Sequence, residues 1–207
     1  MTLLGPFTGP AAPHGTVLSP YFSSISHWND RVFQVSKLRH QNFTAAYEKE
    51  VRDRILNVIS KYRTGLKEDH LIQVSDRIIE ESKKYGYDPL FLTALIITES
   101  SFYNWARSNR GALGLMQIRP RTGRAMAVEA RVRWKGTLTL YKPDVNIALG
   151  AFYLNKLVRR FGDLALALEA YNHGPSQIAR YLRKGYRPKA YSKKVFKNYH
   201  RIRSQQI

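Results

Sequence analysis

One carboxylate stands apart in this sequence. Glu99 follows the apolar run from Leu90 to Ile97, and the twenty-one residues after it contain three arginines, two glycines and no acid. At the C-terminal end of a buried helix an acid faces the negative end of the helix dipole and loses part of its hydration. Both effects disfavour the ionised form and raise the carboxyl pKa. A carboxylic acid that stays protonated near neutral pH can give its proton to the bridging oxygen of a glycosidic bond. The competing reading is an exposed glutamate at a helix end. Its neighbours in the sequence decide between the two.

The elements that must position Glu99 read as helices. Val51, Ile55, Val58 and Ile59 recur at three- and four-residue steps from about residue 46, as do Leu71, Val74, Ile78 and Ile79 in a second segment ending near Gly86. In YDPLFLTALIITES, Asp88 supplies an N-cap and Pro89 the first helical position. That segment is apolar nearly all round, which predicts burial at the centre of the domain. Pro143 opens a helix to about residue 160. DLALALEAYN, SQIARYLRK and PKAYSKKVFKNYHRIR predict three more. Only RWKGTLTLY, residues 133–141, looks strand-like. The fold class expected is all-α, with that one strand-like excursion. The expected division is an irregular leader over 1–45 and one helical domain over 46–207.

Four motifs follow one another along the domain: ESSF at Glu99, GALGLMQI at 111–118, NIALGAFYL at 146–154 and AYNHGP at 170–175. Together, in this order and at this spacing, they resemble the Slt-type lytic transglycosylases, the lysozyme-like family that cleaves peptidoglycan. The resemblance spans roughly residues 70–203. It implies a lysozyme-like α-domain in which Glu99 is the single catalytic acid. In that family the acid protonates the β-1,4 bond between N-acetylmuramic acid and N-acetylglucosamine. It then takes the proton of the muramic C6 hydroxyl, which closes on C1 and leaves a 1,6-anhydro product. Most glycosidases need a second carboxylate to activate water or to attack; here the sugar supplies its own nucleophile.

The resemblance also implies substrate-binding roles for Ser108, Met116, Gln117, Tyr171, Asn172 and Tyr191. Gln117 can donate to and accept from hydroxyl or acetamido groups, and the neighbouring glycines let backbone approach a sugar closely. Core packing competes for Met116, a cap for Ser108 and a buried structural place for Tyr171. Asn146 reads as a tie between loops. His173 stands where the family usually has a small residue, and Arg119 where an apolar one is common. Among other acids of the second half, Asp144 and Asp163 read as helix starts. Glu129 reads as a loop residue and Glu169 as an exposed helical position.

Composition sets the partners. Residues 1–100 carry 12 Lys/Arg against 11 Asp/Glu, whereas residues 101–207 carry 22 against 4. A field of this sign attracts polyanions. The expected partners are peptidoglycan glycan strands, with electrostatic association to an anionic wall or membrane surface. No nucleic-acid fold signature accompanies the charge, so no specific nucleic acid is expected. The absence of cysteine excludes disulfides and thiolate metal sites; no metal and no cofactor are implied, and a monomer is expected. The resemblance places the protein in the cell envelope or periplasm. Residues 1–15 hold three prolines, three glycines and no basic n-region, so they do not read as an intact export signal. A goose-type hydrolase, a non-catalytic wall-binding scaffold and a basic nucleic-acid-binding protein are the alternatives.

Overall fold

The structure is a computed structural model that describes residues 45–204. The expected leader over 1–45 lies almost wholly outside the described residues. The elements are α1 (Ala45–Ile59), α2 (Glu68–Tyr85), α3 (Pro89–Ser100), α4 (Pro120–Glu129), a 3₁₀ helix (Thr137–Tyr141), α5 (Pro143–Phe161), α6 (Leu164–His173), α7 (Pro175–Arg183) and α8 (Ala190–Ser204). Among the described residues there are no strands, only isolated antiparallel bridges pairing Leu113 with Arg107 and with Ile118. None of the described helices is long and apolar enough to cross a membrane.

Helix α3 is the axis of the domain. Asp88 caps it by accepting from the Leu90 amide at 2.8 Å, and every residue from Pro89 to Ile97 is buried. A 12-residue helix with no polar face must be wrapped, and α1, α2 and α8 pack around it. Helix α8 is fastened along its length. Tyr199 donates to Asp88 Oδ2 at 2.6 Å, Asn198 to Thr98 Oγ1 at 2.9 Å, and the rings of Phe196 and Tyr199 both meet Phe91. Helix α5 bridges α2 and α6 and closes the other side of the core. Gly86 and Gly162 adopt left-handed φ values of 76° and 66° and end α2 and α5.

Two segments differ from the sequence reading. The strand-like stretch 133–141 contains a short 3₁₀ helix. With no strand beside it to pair with, its backbone turns inward, Thr139 N donating to Gly136 O and Lys142 N to Thr139 O. The Thr139 hydroxyl accepts from the Lys135 amide, which fixes the approach. The sequence reading also missed α4. Pro120 at its first position was a usable signal, but Arg121, Arg124 and Glu129 dilute the apolar face formed by Gly123, Met126 and Ala127. Glu129 therefore ends a helix, paired with Lys156, instead of lying in a loop.

Candidate active site

Glu99 occupies the last turn of α3, where apolar surroundings give way to the surface. The helix stops abruptly because Ser101 and Phe102 both take left-handed φ, 51° and 60°. Two successive non-glycine residues there are strained and need support. Phe102 receives it by burial, with its ring 6.0 Å from Tyr62. Just before them, the Ser100 hydroxyl donates to Leu115 O at 2.7 Å. That bond ties the residue beside the acid to the glycine turn. Sequence reasoning missed Ser100, although its place next to Glu99 in ESSF was a signal.

The 106–118 segment is built around backbone. Gln117 has φ 48° and its side-chain Nε2 donates to Ala106 O at 3.2 Å and Gly114 O at 2.9 Å. Ser108 Oγ accepts from the Ala112 amide at 3.0 Å, so it caps a turn, not a helix. Asn146, fully buried, is the anchor. Its Oδ1 accepts from Met116 N at 2.7 Å, while Nδ2 donates to Leu113 O and Leu140 O. The tie between loops read from sequence is thus present. Gly114, at φ +77°, is required here because a Cβ would collide with Asn146 Nδ2 and Leu140 O.

Met116 turns its side chain into the core. Its side chain is 0% exposed and fills the space that Gly150 leaves by lacking a Cβ. What it presents instead is its carbonyl, which accepts from the Tyr171 hydroxyl at 2.8 Å. Tyr171 comes from α6, and its ring lies 5.3 Å from that of Tyr153. Asn172, next along, is exposed.

Tyr191 meets the acid directly. From the first turn of α8 its hydroxyl donates to Glu99 Oε1. Burial pushes the Glu99 carboxyl up to about 7, and it outweighs the Tyr191 hydrogen bond and the Lys194 charge, which pull the other way. Burial chiefly, and then the Glu99 charge, hold the phenols of Tyr191 and Tyr171 well above the ordinary tyrosine value. Both stay neutral donors across the working pH range. Glu99, Tyr191, Tyr171 and the Met116 carbonyl therefore form one constellation contributed by α3, α8, α6 and the glycine turn. Ser108, Gln117 and Asn172 make no hydrogen bond to it.

No other acid of the second half resembles Glu99. Asp163 caps α6 through the Leu166 amide at 2.7 Å, and Asp144 is exposed in the first turn of α5. Glu169 overturns its reading as exposed: it is 0% accessible, and its Oε1 accepts from both the amide and the hydroxyl of Ser192, at 2.8 and 2.9 Å. The signal against exposure was position, since Leu164 to Ala170 are all buried in α6. Among the described residues no group of three His, Asp or Glu could hold a metal ion.

The transglycosylase SLT domain matches residues 76–194, more than half of the chain and all of this constellation. This chain belongs to the SLT transglycosylase family. The membrane-bound lytic murein transglycosylase E of Buchnera aphidicola is 30% identical over 154 residues, covering 67% of this chain and 70% of that protein. The transglycosylase of Enterobacteria phage PRD1 is 36% identical over 117 residues. That match covers 56% of this chain but only 39% of the phage protein. An inactive Glu→Gln mutant of lytic transglycosylase Slt from Pseudomonas aeruginosa superposes with a TM-score of 0.50 at 32% identity, covering 61% of this chain and 22% of that one. The 70-kDa soluble lytic transglycosylase in complex with bulgecin A gives a TM-score of 0.56 at 23% identity, covering 63% and 24%. The lysozyme-like all-α fold expected from sequence is the fold of these SLT domains.

Proposed function

We propose that this SLT domain is a peptidoglycan lytic transglycosylase in which Glu99 is the sole acid and base. One observation carries the reading: Glu99 is a largely buried carboxyl poised at about 7 and hydrogen-bonded by a neutral phenol. Protonated, it delivers its proton to the glycosidic oxygen between N-acetylmuramic acid and N-acetylglucosamine, and that C1–O bond breaks. As carboxylate, it accepts the proton of the muramic C6 hydroxyl while that oxygen bonds to C1. The product is 1,6-anhydromuramic acid, and the proton count of Glu99 is restored. Tyr191 steadies the carboxylate form between the two transfers, and a phenol that remains neutral can do so without taking the proton itself.

The surroundings support a non-hydrolytic route. A hydrolase with a water-activating or attacking carboxylate needs a second acid open to the cleft. Glu169, which lies within electrostatic reach of Tyr191, is wholly enclosed and engaged by Ser192. Ser108, Gln117, Asn172 and the backbone of the 106–118 segment are proposed to line the glycan path, with the Met116 side chain beneath as packing. The exposed Lys193, Lys194 and Lys197 on α8 would favour encounter with an anionic wall or membrane face, in keeping with a site of action in the cell envelope.

The test is digestion of purified peptidoglycan with mass spectrometry of the fragments. Anhydro-muropeptides about 18 Da lighter than their reducing counterparts are expected, because no water enters the product. Reducing-end products would replace this reading with a goose-type hydrolase.

A further inference from the structure

Glu169 is a charged side chain the proposed reaction does not use, yet it sits deep in the core one helix away from the acid. Its place at the start of α8 gives it a use. Ser192 is the third residue of α8, so its amide is among the first four N–H groups, which have no partner within the helix. Such groups are ordinarily satisfied by a side chain just upstream. Here the acceptor comes from α6, and Glu169 Oε1 takes both Ser192 donors. The positive end of the α8 dipole and two hydrogen bonds are what make an enclosed carboxylate tolerable there. Its Oε2 accepts no hydrogen bond, and His173 Nε2 lies 3.6 Å from it.

The residue immediately before Ser192 is Tyr191, the hydroxyl partner of Glu99. We propose that Glu169 is a positioning residue: by capping α8 from inside the core, it sets where the Tyr191 hydroxyl stands against Glu99. The proposal rests on the assignment of Glu99 as the acid. Further along, α8 is tied to α3 through Asn198–Thr98 and Tyr199–Asp88. Its first turn extends past those ties, and Glu169 fixes that end. A side chain that must meet another in hydrogen-bond geometry tolerates little drift, and a shift near 1 Å at a reacting centre can cost roughly a hundredfold.

Glu169→Gln and Ser192→Ala, each alone and combined with Tyr191→Phe, test this. The primary measurement is the Glu99 carboxyl titration by carbon NMR, which needs no substrate. The groups facing Glu99 are Tyr191, Tyr171 and Lys194, and those facing Glu169 are Ser192, His173 and Tyr191. Removing the negative charge of Glu169 would by itself lower the Glu99 pKa. Loosening the Tyr191 hydrogen bond would raise it, so the sign separates geometry from charge. Glu169→Gln is expected to move the Glu99 titration upward and to lower kcat roughly tenfold with KM within about twofold. Ser192→Ala, which keeps the charge, should move it the same way by less. In the Tyr191→Phe background neither change should raise it, and Glu169→Gln should show only the small lowering that its lost charge causes. A Glu99 titration unmoved or lowered in both single variants, or moved equally without the phenol, overturns the proposal. Near-native turnover of Glu99→Gln would instead remove the assignment of the acid, leaving the titration result standing.

Discussion

Burial raises the carboxyls of two glutamates on neighbouring helices, and different partners oppose the rise. Glu81 on α2 is 2% exposed, and burial raises its carboxyl; Lys84 and Arg77 oppose the rise. Arg77 Nη1 stands 3.2 Å from Oε1 and Lys84 Nζ 3.6 Å from Oε2. Glu99 on α3 has no cation within ion-pair distance among the described residues. Its partner is the Tyr191 phenol, carried by another helix. Glu81 is answered by permanent charges one turn away on its own helix, an arrangement that stays the same whatever else the molecule does. Glu99 is answered by a neutral donor that favours the anion modestly and leaves the proton free to return. A raised pKa alone therefore does not set Glu99 apart from Glu81; the neutral partner on another helix does.

The largest effect that would break this comparison is on turnover. Glu99→Gln should lower peptidoglycan cleavage at least ~10³-fold, since the proton donor and acceptor are lost together while shape is kept. Glu81→Gln should leave kcat within about twofold, as its partners are all on α2. Initial rates of soluble muropeptide release measure both. Comparable losses in the two variants would show that burial, not the neutral partner, matters.

Stability should separate the two glutamates next. The Glu99 carboxyl lies at about 7 in the folded protein against 4.5 for a free side chain. Between those values the folded state holds a proton that the unfolded chain has lost, so stability falls as pH rises through the interval. The loss attributable to Glu99 is roughly 3 kcal/mol by pH 8, before any solvent relaxation reduces it. Glu99→Gln has no such slope. It should match the wild type near pH 4.5 and exceed it at pH 8, in urea unfolding followed by circular dichroism. Glu81→Gln should differ by no more than about 1 kcal/mol at either pH, because the loss of two ion pairs offsets the relief of burial.

The same contrast separates what the sequence makes legible from what only the fold shows. Helix α3 was legible because Asp88, Pro89 and an unbroken apolar run agree with one another, and the acid at its end followed. Gln117 and Tyr171 were legible as types in motifs, but their donors turn inward, to Ala106, Gly114 and Met116 carbonyls. Helix α4 was hidden because only Gly123, Met126 and Ala127 are buried in it, too few to set a periodicity. Glu169 was misread because a glutamate is buried only when a distant donor awaits it, and Ser192 lies 23 residues away. Local pattern conveys which helix an acid sits on; it does not convey who caps the next helix.

The smallest effect is also the most specific to Glu99. For general-acid transfer the carboxyl must start protonated, so kcat/KM should be level at acid pH and fall as pH rises through about 7. Removing the Tyr191 hydroxyl takes away a donor that favours the carboxylate, and the pKa must then rise. Tyr191→Phe should therefore lower the plateau roughly tenfold, by destabilising the anion formed after the first transfer, yet move the alkaline limb to higher pH. Above neutrality the two effects oppose each other, so the deficit of the variant should shrink as the pH is raised. A deficit that is the same at every pH would mean that Tyr191 holds substrate alone and that the phenol has no part in setting the proton affinity of Glu99.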